Sequence, residues 1–141
     1  MIRTASAAWT GGLKNGKGHI SSESGVMKQA PYGFASRFES GAGTNPEELI
    51  AAAHAGCYTM ALACKLDEAG MTADHLETTA AVMLERLEEG FVISAIHLTV
   101  RARIANADKP AFAALAAEAK TNCPVSRLVT ANVTLDAQVL T

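Results

Sequence analysis

Of the side chains able to do covalent chemistry in this 141-residue sequence, three are cysteines: Cys57, Cys64 and Cys123. A thiolate can serve as nucleophile, metal ligand or electron donor, and its surroundings decide which. Cys57 and Cys64 lie in one long apolar stretch that reads as a helix, where a seven-residue step returns to within about 20° of the same face. They share a stripe but stand about 10 Å apart along the axis, beyond the reach of a disulfide. If either pairs, its partner is Cys123. That residue precedes Pro124 at the head of a short helix. Unpaired N–H groups there lower a thiol pKa, so local sequence makes Cys123 the more reactive thiol. Cys64 reads as an inert core residue.

His54 lies one turn before Cys57, which raises metal binding. Two ligands fall short of the four that a structural zinc site uses, and a buried imidazole bonded to a backbone group is the simpler expectation. No phosphate-binding glycine loop, GxSxG elbow or HExxH helix occurs. Composition narrows the classes further: 49% of residues are hydrophobic, 5% aromatic and 18% charged, with net charge −2. A near-neutral chain without a basic stripe argues against nucleic-acid binding. The longest uncharged apolar stretch, Leu49 to Cys64, is shorter than a membrane span and holds His54, Tyr58 and Thr59, so no membrane role is expected. The first thirty residues hold no signal-like apolar run. An odd cysteine count without an export signal points to reduced thiols in a cytoplasm.

The elements that must position these residues can be read in order. Arg3 to Trp9 and Gly18 to Ser24 read as a hairpin, with Asn15-Gly16 at its turn and Gly11-Gly12 as punctuation. Gly25 to Gly43 is loop-like, yet holds Tyr32, Phe34, Arg37 and Phe38. Asn45 as N-cap, Pro46 at the first helical position, and Glu47 and Glu48 in the first turn open a helix that should run to about Ala69. It is apolar nearly all round and is expected to be buried. His75 to Glu88 and a strand from Val92 to Ile104 form a second hairpin, with Val92, Ser94, Ile96, Leu98, Val100, Ala102 and Ile104 on one face. A helix from Lys109 to about Lys120, a short helix at Cys123-Pro124, and a strand from Ala131 to Val139 follow. This order predicts a single α+β domain over residues 1–141, with antiparallel sheets around one long central helix.

The stretch PYGFASRFESGAGTNPEELIAAAHAGCYTMAL, from Pro31 to Leu62, resembles the osmotically inducible protein C branch of the OsmC/Ohr thiol peroxidase family. The likeness extends to WTGGLKNGKGHISSESGVMKQAPYGF near the start and KTNCPVSRLVTANVTLD near the end. It implies reduction of organic hydroperoxides, and of hydrogen peroxide less well, in oxidative and osmotic stress defence, by thiols and with no metal, haem or flavin cofactor. Cys57 matches the peroxidatic cysteine, Cys123 the resolving cysteine, Arg37 the catalytic arginine and Glu47 the glutamate that orients it. The resemblance also implies an intertwined homodimer and a dithiol reductant of the lipoyl type. One departure is Gly56, where the family more often has alanine. In a helix interior it costs about 1 kcal/mol unless close packing offsets it.

Physical reasoning supports those roles. A thiolate on an Ala-rich helix is disfavoured by desolvation and needs a fixed cation, which a guanidinium supplies while its planar fork holds a carboxylate. Ten helical steps leave Glu47 about 80° from the Cys57 direction, whereas nine put Glu48 on the opposite face. Glu47 and Cys57 are still about 15 Å apart on an ideal axis, so a long arginine, a bent helix or a second subunit must complete the group. Tyr32 and Phe34, with Ala, Leu and Met neighbours, should favour alkyl or lipid-like hydroperoxides by about 1–3 kcal/mol per buried group. The alternative from another class is a non-enzymatic redox sensor, or a dimer that binds a hydrophobic ligand.

Overall fold

A computed structural model describes all 141 residues, which fall into two compact units, Met1–Leu49 and Ile50–Thr141. In the first, strands β1 (Ala5–Thr10), β2 (Lys17–Ser22) and β3 (Ala30–Tyr32) form an antiparallel sheet in the order β1-β2-β3. The β1–β2 connection is a six-residue loop in which Gly11 takes φ +95° and the Gly16 N–H reaches the Gly12 carbonyl at 2.8 Å. A type I′ turn would need positive φ at Asn15 as well, which it lacks, so Asn15-Gly16 is not the two-residue turn that the dipeptide predicts. The stretch expected to be loop contains β3 and a five-residue helix, α1 (Phe34–Phe38).

Helix α2 (Pro46–Glu68) begins at the expected cap: Asn45 Oδ1 accepts the Glu48 N–H at 2.8 Å. It ends where Gly70 adopts φ +74°. In the second unit, β4 (His75–Leu87) and β5 (Gly90–Arg103) form the long antiparallel hairpin. Helices α3 (Lys109–Asn122) and α4 (Pro124–Leu128) then lead to β6 (Asn132–Leu140), giving the order β4-β5-β6. The α+β class and the central helix stand as read, but β6 lies parallel to β5. Parallel neighbours need a crossover, which α3 and α4 supply.

A register shift at Met83/Leu84 breaks the alternation: Met83 pairs with Ala95 but Leu84 with Ile93, leaving Ser94 as the extra residue. Ile93 rather than Val92 therefore joins the core, and the buried Ser94 hydroxyl has no partner. That core gathers Tyr58, Leu62 and Leu66 of α2, Ile96, Leu98, Val100 and Ala102 of β5, Ile104, and Phe112, Ala116 and Ala119 of α3, with Cys123 among them.

Helix α2 is less buried than its composition predicts. One stripe, His54, Tyr58, Leu62 and Leu66, is fully enclosed, whereas Ala52, Ala53, Gly56, Met60 and Ala63 face outward and Met60 is 77% exposed. A single chain covers only one side of an all-round apolar helix. At 23 residues α2 is also long and apolar enough to span a membrane on length and composition. Its polar side chains are instead engaged by neighbouring elements: Lys65 pairs with Glu118 of α3 at 2.9 Å and His54 with Ser126 of α4 at 2.8 Å.

Candidate active site

In the first unit the sheet and α1 hold an arginine and a carboxylate together. Ser36 on α1 accepts the Gly33 N–H at 2.9 Å and donates to the Thr44 carbonyl at 2.8 Å, while Asn45 Nδ2 donates to the Ser36 carbonyl at 3.0 Å. These bonds fasten α1 beside the start of α2. Arg37 Nε donates to Glu47 Oε1 at 3.1 Å and Nη2 to the same oxygen at 2.7 Å. Nη1 stays free of the carboxylate, and the guanidinium carbon lies 5.1 Å from the Phe38 ring centre. Glu47 is nearly buried while Arg37 keeps about a third of its side chain open. A fixed fork with one outward edge suits an anionic ligand. Glu48 turns elsewhere and accepts from Thr44 Oγ1 at 2.7 Å.

A cavity of about 310 Å³ opens at Arg37, lined by Trp9, Leu13, Tyr32, Gly33, Phe34 and Phe38. Trp9 meets Tyr32 edge-on at 5.5 Å and Phe34 packs at 5.1 Å on Phe38. Tyr32 and Phe34 thus line a real apolar pocket. Trp9 and Phe38 belong to it too, which sequence spacing does not reveal because Trp9 arrives through the β1–β2 hairpin.

In the second unit two cysteines meet. Cys57, half-buried on α2, lies near enough to the Cys123 thiol and the Val125 backbone N–H for both to act on its ionisation. Cys123 caps α3 and starts α4 in the same residue, is fully buried, and is free like the other two. Burial pushes the Cys57 thiol above its ordinary value; the Val125 N–H pulls it back, and the neighbouring Cys123 adds to the rise. Burial and the same Cys123 also hold the Tyr58 phenol far up, with its hydroxyl donating to the Ala116 carbonyl at 3.1 Å. The Val125 donor is a backbone group, so no residue type announces it.

Two expectations change. Cys64 is exposed rather than in the core, its Sγ 3.6 Å from Glu68 Oε1. It shares a stripe with Cys57, but the cover given by Cys123 and α4 lies at the Cys57 end. His54, expected to bond a backbone group, faces the Ser126 hydroxyl with Nε2, while its buried Nδ1 has no partner.

Residues 39–138 match the family described as OsmC-like protein. The chain is 48% identical over 133 residues to Peroxiredoxin OsmC of Escherichia coli strain K12, an alignment that covers 94% of this chain and 93% of that one. The chain belongs to the OsmC-like family. Among solved structures of that fold, the organic hydroperoxide resistance protein OhrB of Bacillus subtilis aligns with TM-score 0.68 at 28% identity, covering 97% of this chain and 98% of its own. The organic hydroperoxide resistance protein OsmC of Legionella pneumophila aligns with TM-score 0.69 at 26% identity, over 100% and 99% of the two chains. Arg37 with Glu47, and Cys57 with Cys123, are the residues gathered into the two clusters described above.

Proposed function

We propose that Cys57 is the peroxidatic and Cys123 the resolving cysteine of a peroxidase that reduces organic hydroperoxides, and hydrogen peroxide less well. Thiol-dependent hydroperoxide reduction in stress defence is the activity of this chain. The observation that carries the residue assignment is the Cys57 sulfur with a second thiol and a backbone N–H beside it. The Cys57 thiolate attacks the distal peroxide oxygen, the O–O bond breaks, the alkoxide takes a proton and leaves as alcohol, and Cys57 becomes a sulfenic acid. The Cys123 thiol then displaces the sulfenic oxygen as water and forms the disulfide. A dithiol reductant of the lipoyl type exchanges with that disulfide, returns both thiols and becomes oxidised itself. A cycle that ends in two thiols suits a cytoplasm.

Arg37 supplies the cation that the half-buried thiolate needs, and Glu47 fixes its fork. The working unit is a homodimer in which the outward apolar face of α2 is covered by a second copy, and Arg37 of one chain serves Cys57 of the other. The aromatic pocket beside Arg37 holds the alkyl part of the substrate, with Tyr32 and Phe34 as its sequence-marked walls.

The test is peroxide consumption with dithiothreitol or a lipoyl reductant. Cys57→Ser loses turnover, Cys123→Ser performs one oxidation and stalls, and Cys64→Ser keeps its rate. A wild-type protein that oxidises once and never cycles would instead be a redox sensor.

A further inference from the structure

Helix α4 carries the Val125 N–H and begins at Cys123, yet it is poorly held by burial. It has five residues, none of them fully buried, and Leu128 at its end is 78% exposed. Only the partly buried Val125 and the following Val129 pack against the core. The side-chain hydrogen bond that ties α4 to α2 runs from Ser126 to His54, at 2.8 Å between Oγ and Nε2. His54 sits three residues before Cys57 on α2, and Ser126 three residues after Cys123. The bond therefore spans the same two elements as the thiol pair and lies about one turn from it on each.

His54 is fully buried and leaves Nδ1 unpaired. Burying an imidazole with an unsatisfied nitrogen costs stability that an apolar residue of similar volume would not. Core packing alone does not account for it.

Resting on the peroxidase reading above, we infer that His54 and Ser126 are positioning residues, a latch that holds α4 on α2 so that Cys123 stays aligned with the Cys57 sulfur for the resolving step. That step breaks the Cys57 S–O bond, forms the S–S bond and releases water, and it is intramolecular. Its rate therefore depends on alignment of the two sulfurs, and a misplacement of about 1 Å costs up to about a hundredfold. The preceding attack on peroxide does not use Cys123 and feels α4 only through the Val125 N–H, so it depends far less on the latch.

The experiment separates the two steps. Reduced protein is mixed in a stopped-flow with one equivalent of cumene hydroperoxide; a sulfenic-acid trap reports the first step and loss of free thiol the second. Ser126→Ala and His54→Leu are expected to lower the resolving constant at least about tenfold and the first rate constant much less. The longer-lived sulfenic acid then over-oxidises to sulfinic acid at a smaller peroxide excess, read by mass spectrometry. Ser126→Thr and His54→Gln, which retain a donor and acceptor, restore most of the resolving rate.

An unchanged resolving constant in Ser126→Ala overturns the latch, and so does an equal fall in both steps, the mark of a general loss of structure. If His54→Leu does not fold, Ser126→Ala and Ser126→Thr decide alone. A wild type that yields neither sulfenic acid nor disulfide would overturn the peroxidase reading itself, an outcome distinct from failure of the latch.

Discussion

The Cys57 sulfur is caught between opposing influences. Burial raises its pKa and the adjacent Cys123 raises it further, while one backbone N–H favours the thiolate. With the pKa above the ordinary thiol value, the reactive anion is scarce at neutral pH and the reaction rate climbs as pH rises through the ionisation. A cation that stabilises the thiolate moves that climb to lower pH. Arg37→Ala should therefore cut the single-turnover rate with cumene hydroperoxide about a hundredfold near pH 7 and much less near pH 10, a size typical of losing one charged donor at a reacting anion. Rate constants across that range test it. A uniformly lower profile with an unchanged midpoint would assign Arg37 to the peroxide alone. The residues in this chemistry are legible because their types are rare: three cysteines, and one arginine among the aromatics of the Tyr32 to Phe38 segment. The Val125 amide and the Ser126 hydroxyl carry no such mark.

Elements built by strong local signals match their reading. Asn45-Pro46-Glu47-Glu48 starts α2 and Asp108 caps α3, accepting the Ala111 N–H at 3.1 Å. Elements that depend on partners do not. Three-residue β3 exists only because β2 pairs with it, and α1 only because Ser36 and Asn45 bond across to its surroundings. The bulge at Ser94 is hidden because Val92 and Ile93 are both apolar and either could fill the core. Alternation in β6 gives its buried face and says nothing of its direction. At the level of the first sheet, Gly18 is a point of contact: a Cβ there would lie 2.5 Å from both Trp9 Cε3 and Tyr32 Cε1. Gly18→Ala should pry that edge-on aromatic pair apart and open the pocket wall. We expect a fall of about tenfold in kcat/KM for cumene hydroperoxide and little change for hydrogen peroxide, which buries no alkyl group. Parallel steady-state assays with the two peroxides check the difference, and equal losses would point to a general loosening of the sheet.

For the whole molecule, the outward face of α2 sets the question of assembly. Met60 is a large apolar side chain left open, and covering it contributes about 1.5–3 kcal/mol. Met60→Lys should leave the secondary structure of the chain intact, as judged by circular dichroism, while sedimentation equilibrium shows dimer giving way to monomer. If each site takes Arg37 from one chain and Cys57 from the other, peroxidase activity falls with the dimer. Mixed dimers of Cys57→Ser and Arg37→Ala subunits then regain one working site. Activity no higher than that of the parents would place both residues in the same chain's service.

The parallel pairing of β5 with β6 also bears on when the thiols first meet. Helix α2 and the β4–β5 hairpin are close in sequence, so their contacts close short loops, whereas β6 can pair only after the whole α3–α4 crossover has folded back. Cys123 rides in that crossover. A chain emerging during synthesis therefore presents Cys57 and Cys64 well before the thiol that is to protect Cys57 from over-oxidation. The order of folding leaves the proposed peroxidatic cysteine unaccompanied until nearly the last element is in place.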